Sequence, residues 1–206
     1  MFDALTDKFN SVFKSLSGRG RITESNVADA MREYFDADFS FQNNGGVRAN
    51  LAQGDVTAGD IFAVLPFGNE LVEVRMEGRI LRRIIERKLA GRSGGIIISG
   101  AEMEYDPTRP DYDRVVSLTI GGEAWDTDRI YTAIATNFLM EGNSGLDFLT
   151  AIPAEDITPT NILTSETLEW YIKKNSPVRP HVGRRWVEAI GKPQADYLKK
   201  EYLPES

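Results

Sequence analysis

Phe41 to Asn69 reads FQNNGGVRANLAQGDVTAGDIFAVLPFGN, a stretch that concentrates glycine, strand-forming residues, one arginine and an oddly placed aromatic. Phe39-Ser40-Phe41 alternates as a strand, and Asn43-Asn44-Gly45-Gly46 must turn sharply after it. Glycine there lets backbone approach a ligand where a Cβ would collide. Arg48 follows within reach of that turn. Thr57-Ala58-Gly59-Asp60 resembles a capping box and predicts a short helix over 61–65. Pro66 ends that helix, so Phe67 is presented from a loop beside Gly68-Asn69, with little flanking bulk to cover its ring. The stretch is therefore expected to form a binding edge.

Outward from it, Val72, Val74 and Met76 alternate as a half-buried strand. Gly78 precedes a helix with Ile80, Leu81, Ile84, Ile85 and Leu89 on its apolar side. Arg79, Arg82, Arg83, Arg87 and Arg92 fill the rest of that helix; charges opposite an apolar stripe read as a solvated face. Gly94-Gly95 releases Ile96-Ile97-Ile98, whose β-branched density suits a strand covered on both faces. Ser99-Gly100 interrupts it as a bulge or kink, and Ala101, Met103 and Tyr105 alternate again. A loop over 106–113, a hairpin turned at Gly121-Gly122 and a strand over 130–136 lead into Thr136-Asn137-Phe138-Leu139-Met140-Glu141-Gly142-Asn143-Ser144-Gly145. Thr164-Ser165-Glu166 opens a helix to Lys174 with Leu168, Tyr171 and Ile172 inward. Residues 192–206 are charged and read as a peripheral tail.

At the other end, Phe2, Leu5, Phe9, Phe13 and Leu16 recur at helical spacing, Ser17-Gly18-Arg19-Gly20 breaks the pattern, and Val27, Ala30, Met31 and Tyr34 mark a second amphipathic helix. Residues 1–35 thus predict a helical hairpin, followed by an α+β domain over 36–191 whose mixed β-sheet is flanked by helices.

The 206 residues are 41% apolar and 27% charged, which is ordinary globular stock with room for one good core. Twenty-four basic residues stand against 31 acidic, for a net charge of −7. That balance argues against nucleic-acid polymers and anionic membranes as partners, and leaves a small anion to a local arginine pocket. Zero cysteines exclude disulfides and thiolate chemistry. The apolar runs are too short to span a bilayer, and the first residues lack a signal peptide's apolar core, so Sec export of the chain as given is not expected.

NNGGVRA, then LPFGN some twenty residues later, then TNFL with its glycine-rich tail, together resemble the C-terminal domain of the 5'-nucleotidase and UDP-sugar hydrolase family, from about Phe35 to Gly191. The resemblance implies a substrate-recognition domain in which two phenylalanines clasp a nucleobase, matched here by Phe67 and Phe138. It also implies that Asn43 reads the base edge, that Arg48 faces phosphate or ribose, and that Asn69 and Gly100 shape the rim. Where the family reads GGDG, this chain reads Gly142-Asn143-Ser144-Gly145, so Ser144 replaces the aspartate that accepts from the ribose hydroxyls. Arg21-Ile22-Thr23-Glu24 and Ala28-Asp29-Ala30 fit the family's approach to this domain with about four residues fewer between them, which adds Arg21 on the phosphate side. Family members hydrolyse phosphate esters at a two-metal site on a separate domain rich in Asp, Asn and His ligands. With a single histidine, His181, this chain is assigned neither a catalytic residue nor a metal ligand, and divalent metals are expected only in such a partner domain, in cis or in trans. The expected small-molecule partner is a nucleotide or nucleoside.

Residues 1–33 resemble the start of the N domain of the signal-recognition-particle GTPase, although no GxxxxGK[ST] follows. An alternative function is then a degenerate, non-catalytic interaction module that oligomerises through the apolar stripe of residues 2–16. The 5'-nucleotidase family works mostly outside the cytoplasm, so localisation stays open.

Overall fold

In chain order the elements are β1 (Val12–Phe13), α1 (Glu24–Phe35), β2 (Phe39–Asn43), β3 (Val56–Thr57), α2 (Ala58–Val64), β4 (Glu70–Glu77), α3 (Gly78–Leu89), β5 (Ile96–Ser99) and β6 (Ala101–Tyr105). There follow β7 (Val115–Ile120), β8 (Glu123–Ala124), β9 (Ile130–Thr136), α4 (Asn137–Met140), β10 (Ile157–Leu163), α5 (Thr164–Asn175) and β11 (Trp186–Glu188). These come from a computed structural model that describes residues 12–13, 22–49, 51, 54–91, 95–178 and 185–199.

Two sheets carry the fold, which is α+β. The larger has the order β10-β4-β9-β2-β5, with β2 parallel to β9 and the other pairs antiparallel. The smaller has the order β11-β6-β7-β8, with only β11 parallel to its neighbour. Period-two alternation decides which face each side chain takes. Phe39, Phe41, Val72, Val74, Met76, Ala133 and Ala135 lie in one core with Leu81, Ile84 and Ile85 of α3 and with Met103, Val115 and Leu118 of the second sheet. Leu71 and Ile134 point the opposite way, into a second core with Val27 and Met31 of α1, Ile61 and Val64 of α2, and Leu168 and Ile172 of α5.

β2 turns Ser40 and Gln42 toward α1, and both are buried. The Ser40 hydroxyl donates to the Ala28 carbonyl at 2.6 Å and the Gln42 amide to the Glu24 carbonyl at 3.3 Å, so two polar side chains on a buried strand face are satisfied by the helix above them. Nearby, the Ser99 hydroxyl donates to Asp29 Oδ1 at 2.6 Å and accepts from Arg32 Nε at 3.0 Å, while Arg185 pairs with Asp29 and donates to the Ile98 carbonyl at 2.9 Å. Buried charge is thus paired and hydrogen-bonded, as desolvation demands.

Helix α1 shares its core with α2, α5 and the sheet, so a boundary at residue 35 cuts through one hydrophobic cluster. Val12–Phe13 pairs antiparallel with Val56–Thr57 and is extended, not helical; the rest of the 2–16 stripe lies outside the described residues. The tail is not peripheral as far as Lys199. Leu198 is buried, and the Tyr197 hydroxyl donates to the Leu118 carbonyl at 3.0 Å and accepts from its N–H at 3.1 Å.

Arg82 likewise departs from the solvated face read for its helix. It is 2% exposed, donates to the Leu198 carbonyl at 2.7 Å, and lies 3.9 Å from Glu86 and 3.7 Å from Asp113. Glu86 accepts from the Arg114 and Val115 N–H groups, each at 2.9 Å; burial pushes its carboxyl above the ordinary value, and those bonds and Arg82 pull it back. Among the described residues, no helix is long and apolar enough to cross a membrane.

Candidate functional site

Strand register decides which loops share an end of the large sheet. Phe41 pairs with Ala135, so Asn43, two residues on along the parallel pair, falls level with Asn137. Leu71 pairs with Thr136 in the antiparallel direction, so Asn69 falls level with Phe138. The turn after β2, the turn before β4 and the turn after β9 therefore meet at one edge, and they carry Asn43, Phe67, Asn69 and Phe138.

Each aromatic is outward for a local reason. Thr57 and Asp60 form the capping box of α2: the Asp60 N–H donates to the Thr57 hydroxyl at 3.2 Å, and Asp60 Oδ2 accepts from the Thr57 N–H at 2.8 Å. The helix ends at Val64, and Pro66, which has no N–H to donate, cannot continue it. Gly68, at φ 59°, then reverses the chain, and Phe67 is left 56% exposed. Phe138 sits in the single turn of α4, where Leu139 and Met140 are buried and Phe138 takes the opposite side at 36% exposure.

Arg48 is exposed, with its N–H donated to the Val64 carbonyl at 2.9 Å and its guanidinium carbon 5.5 Å from the Phe67 ring centroid. The Asn69 carbonyl accepts from the Thr164 N–H at 3.0 Å and from the Thr164 hydroxyl at 3.2 Å, so the start of α5 fixes the turn that presents Phe67. A pocket beside the ring is lined by Gly46, Leu65, Phe67, Asn69, Thr164 and their neighbours.

Ser144 occupies the left-handed region at φ 57° between Gly142 and Gly145. Its carbonyl accepts from Lys88 Nζ at 2.8 Å, and Asn143 Nδ2 donates to the Phe138 carbonyl at 2.8 Å, joining the loop to the aromatic turn. Burial, with Arg87 beside it, lowers the Lys88 ammonium from 10.5 to about 8. Nothing in the periodicity of α3 singles out Lys88, whose partner lies across the fold.

Gly100 does not join the group. It follows Ser99, the partner of Ser40, and so lies at the Phe39 end of β2, roughly 13 Å from Asn43. A Cβ there would stand 2.2 Å from the Asp38 carbonyl oxygen and 2.9 Å from the Phe39 Cα. Backbone packs closely against the residue on that side. Arg21 and His181 lie outside the described residues. Among the described residues, no group of three or more His, Asp or Glu side chains is placed to hold a metal ion.

A helix-flanked mixed sheet whose connecting turns gather two exposed phenylalanines, an asparagine and an arginine at one edge defines a domain of the α+β class. Residues 15–151 match the family 5'-nucleotidase, C-terminal domain, and the chain belongs to that family. Protein UshA of Yersinia enterocolitica is 31% identical over 180 residues, covering 83% of this chain and 32% of the relative. The NAD 5'-nucleotidase of Haemophilus influenzae is 36% identical over 92 residues, covering 42% of this chain and 15% of the relative. The solved Haemophilus influenzae NAD nucleotidase superposes with a TM-score of 0.79 at 19% identity, over 91% of this chain and 40% of that one. The 5'-nucleotidase precursor of Thermus thermophilus gives 0.74 at 24% identity, over 93% and 42%. The chain thus spans about a third of the UshA relative's length.

Proposed function

We propose that this domain grips the base and sugar of a nucleotide so that its phosphate is offered to a 5'-nucleotidase-type phosphoester hydrolase domain, in the same chain or another. The observation that carries the reading is the placement of two exposed phenylalanines, from turns distant in sequence, at the sheet edge that also holds Asn43.

The chemistry follows from the side chains. Every nucleobase has a π-face, and stacking on an aromatic contributes ~1–3 kcal/mol per base with little discrimination among bases. Phe67 and Phe138 supply that term. Asn43 carries both a donor and an acceptor and can meet a base edge with either. Arg48 presents a planar fork that meets phosphate oxygens two at a time. Ser144 reaches ribose with a short, uncharged hydroxyl, so recognition of the sugar is weaker here than with an aspartate. The domain supplies position, and the bond-breaking step belongs to the hydrolase domain.

Titration calorimetry of the 206-residue chain with adenosine and AMP tests this. The expected result is weak, saturable binding of both, tolerant of exchange of adenine for other bases. Heats indistinguishable from dilution for every nucleoside and nucleotide would sink it.

A further inference from the structure

The last turn of α3 holds the loop that follows Phe138 at two successive residues. Arg87 Nη2 donates to Asp147 Oδ1 at 2.9 Å, and Lys88 Nζ donates to the Ser144 carbonyl at 2.8 Å. The two contacts differ in kind. The Asp147 side chain is 74% exposed, so that ion pair is a solvated one and contributes little. Lys88 is half-buried, and its cation meets a main-chain oxygen, so what it fixes is the backbone of Ser144 itself. That backbone is in a conformation an L residue adopts reluctantly, φ 57°, between glycines at 86° and 72°. A loop rich in positive-φ residues does not choose one shape unaided, and a charge-assisted bond to its middle carbonyl does choose. The consequence reaches the aromatic turn, because Asn143 of the same loop donates to the Phe138 carbonyl.

We propose that Lys88 is a positioning residue for sugar recognition: by holding the Ser144 carbonyl it sets where the Ser144 hydroxyl stands relative to the Phe138 ring. The inference rests on the nucleotide-gripping reading above, and it adds the residue that decides whether a nucleoside is favoured over its bare base. Lys88 touches no ligand atom in this scheme; it acts through Ser144. Its amine is also easier to deprotonate than an exposed lysine, as expected where a cation is drawn into the fold to serve a carbonyl.

The test compares adenosine with adenine on the full chain. In Lys88→Met, adenosine affinity is expected to fall by up to about tenfold, the scale of one lost hydrogen bond between neutral groups, while adenine affinity is unchanged. A merely structural lysine would move both ligands together or neither, and either result overturns the proposal while leaving base stacking intact. Should Lys88→Met not fold, Lys88→Gln, whose amide is too short to reach the Ser144 carbonyl, is expected to show the same selective loss and is judged by the same outcomes. Failure of the unchanged protein to bind either ligand overturns the gripping reading, and this proposal with it.

Discussion

The guanidinium of Arg48 lies over the ring of Phe67, 5.5 Å from carbon to centroid, joining a residue from the turn after β2 to one from the turn before β4. At an exposed site such a contact contributes about 0.5–1 kcal/mol. A bidentate bond to a phosphate is a charge-assisted interaction of about 1.5–3 kcal/mol, so a phosphate within reach outcompetes the ring for Arg48. The resting contact parks the cation beside the aromatic without holding it there.

Arg48→Met should therefore weaken AMP more than adenosine. The expected loss for AMP is about tenfold, with adenosine within about twofold of the unchanged protein, and calorimetry on the two ligands reads the difference directly. Equal losses would place Arg48 at the ring only and not at the phosphate.

Removing either aromatic tests the clasp. Phe67→Ala and Phe138→Ala are each expected to weaken adenosine by about 1–3 kcal/mol. Both rings are exposed, so neither change should lower thermal stability much, and an unshifted Tm with lost binding separates site from scaffold. Undiminished affinity in either variant would remove that ring from the site.

Gly100→Ala should do the reverse. At φ 85°, with an added Cβ 2.2 Å from the Asp38 carbonyl oxygen, the strain and overlap together are expected to destabilise the fold by about 2–5 kcal/mol. Denaturant unfolding measures the loss, and nucleoside affinity of the protein that remains folded should match the original.

Lys88 gives stability a pH dependence whose sign follows from linkage. The unfolded chain keeps this proton up to the ordinary value of 10.5, and the folded protein only to about 8. Between those values the unfolded state binds more protons, so stability rises with pH across the window. Denaturation of the unchanged protein and Lys88→Met at about pH 7.5 and about pH 10 isolates the effect, because all other titrations are shared. The original should gain on the variant as pH rises; a constant gap would place the lysine in solvent.

Much of this site was legible in the chain because local rules decide it. Thr57 and Asp60 make the capping box that starts α2, Pro66 ends the helix, and Gly68 turns Phe67 outward, all within a dozen residues. Alternation in Phe39-Ser40-Phe41 and Val72-Glu73-Val74 marked the faces of the sheet, and the hairpin at Gly121-Gly122 formed where glycine permits positive φ. What escaped depends on partners remote in sequence. Arg82 looks like any solvated arginine until Leu198 and Asp113 close over it. Edge strand β10, reading ITPTNIL with a register shift after Pro159, lacks the alternation that marks a half-buried strand. Gly100 shares a neighbourhood in sequence with a binding motif, yet only strand register shows that it lies at the far end of β2.

The central claim is that a base sits between Phe67 and Phe138, and proton NMR of adenosine titrated with the chain reads it most directly. Ring currents from two stacked phenyl groups should move the purine H2 and H8 resonances upfield on binding, and the shift should shrink when either ring is replaced by alanine. Saturable binding with unmoved purine protons would contradict the clasp and place the nucleoside elsewhere on the domain.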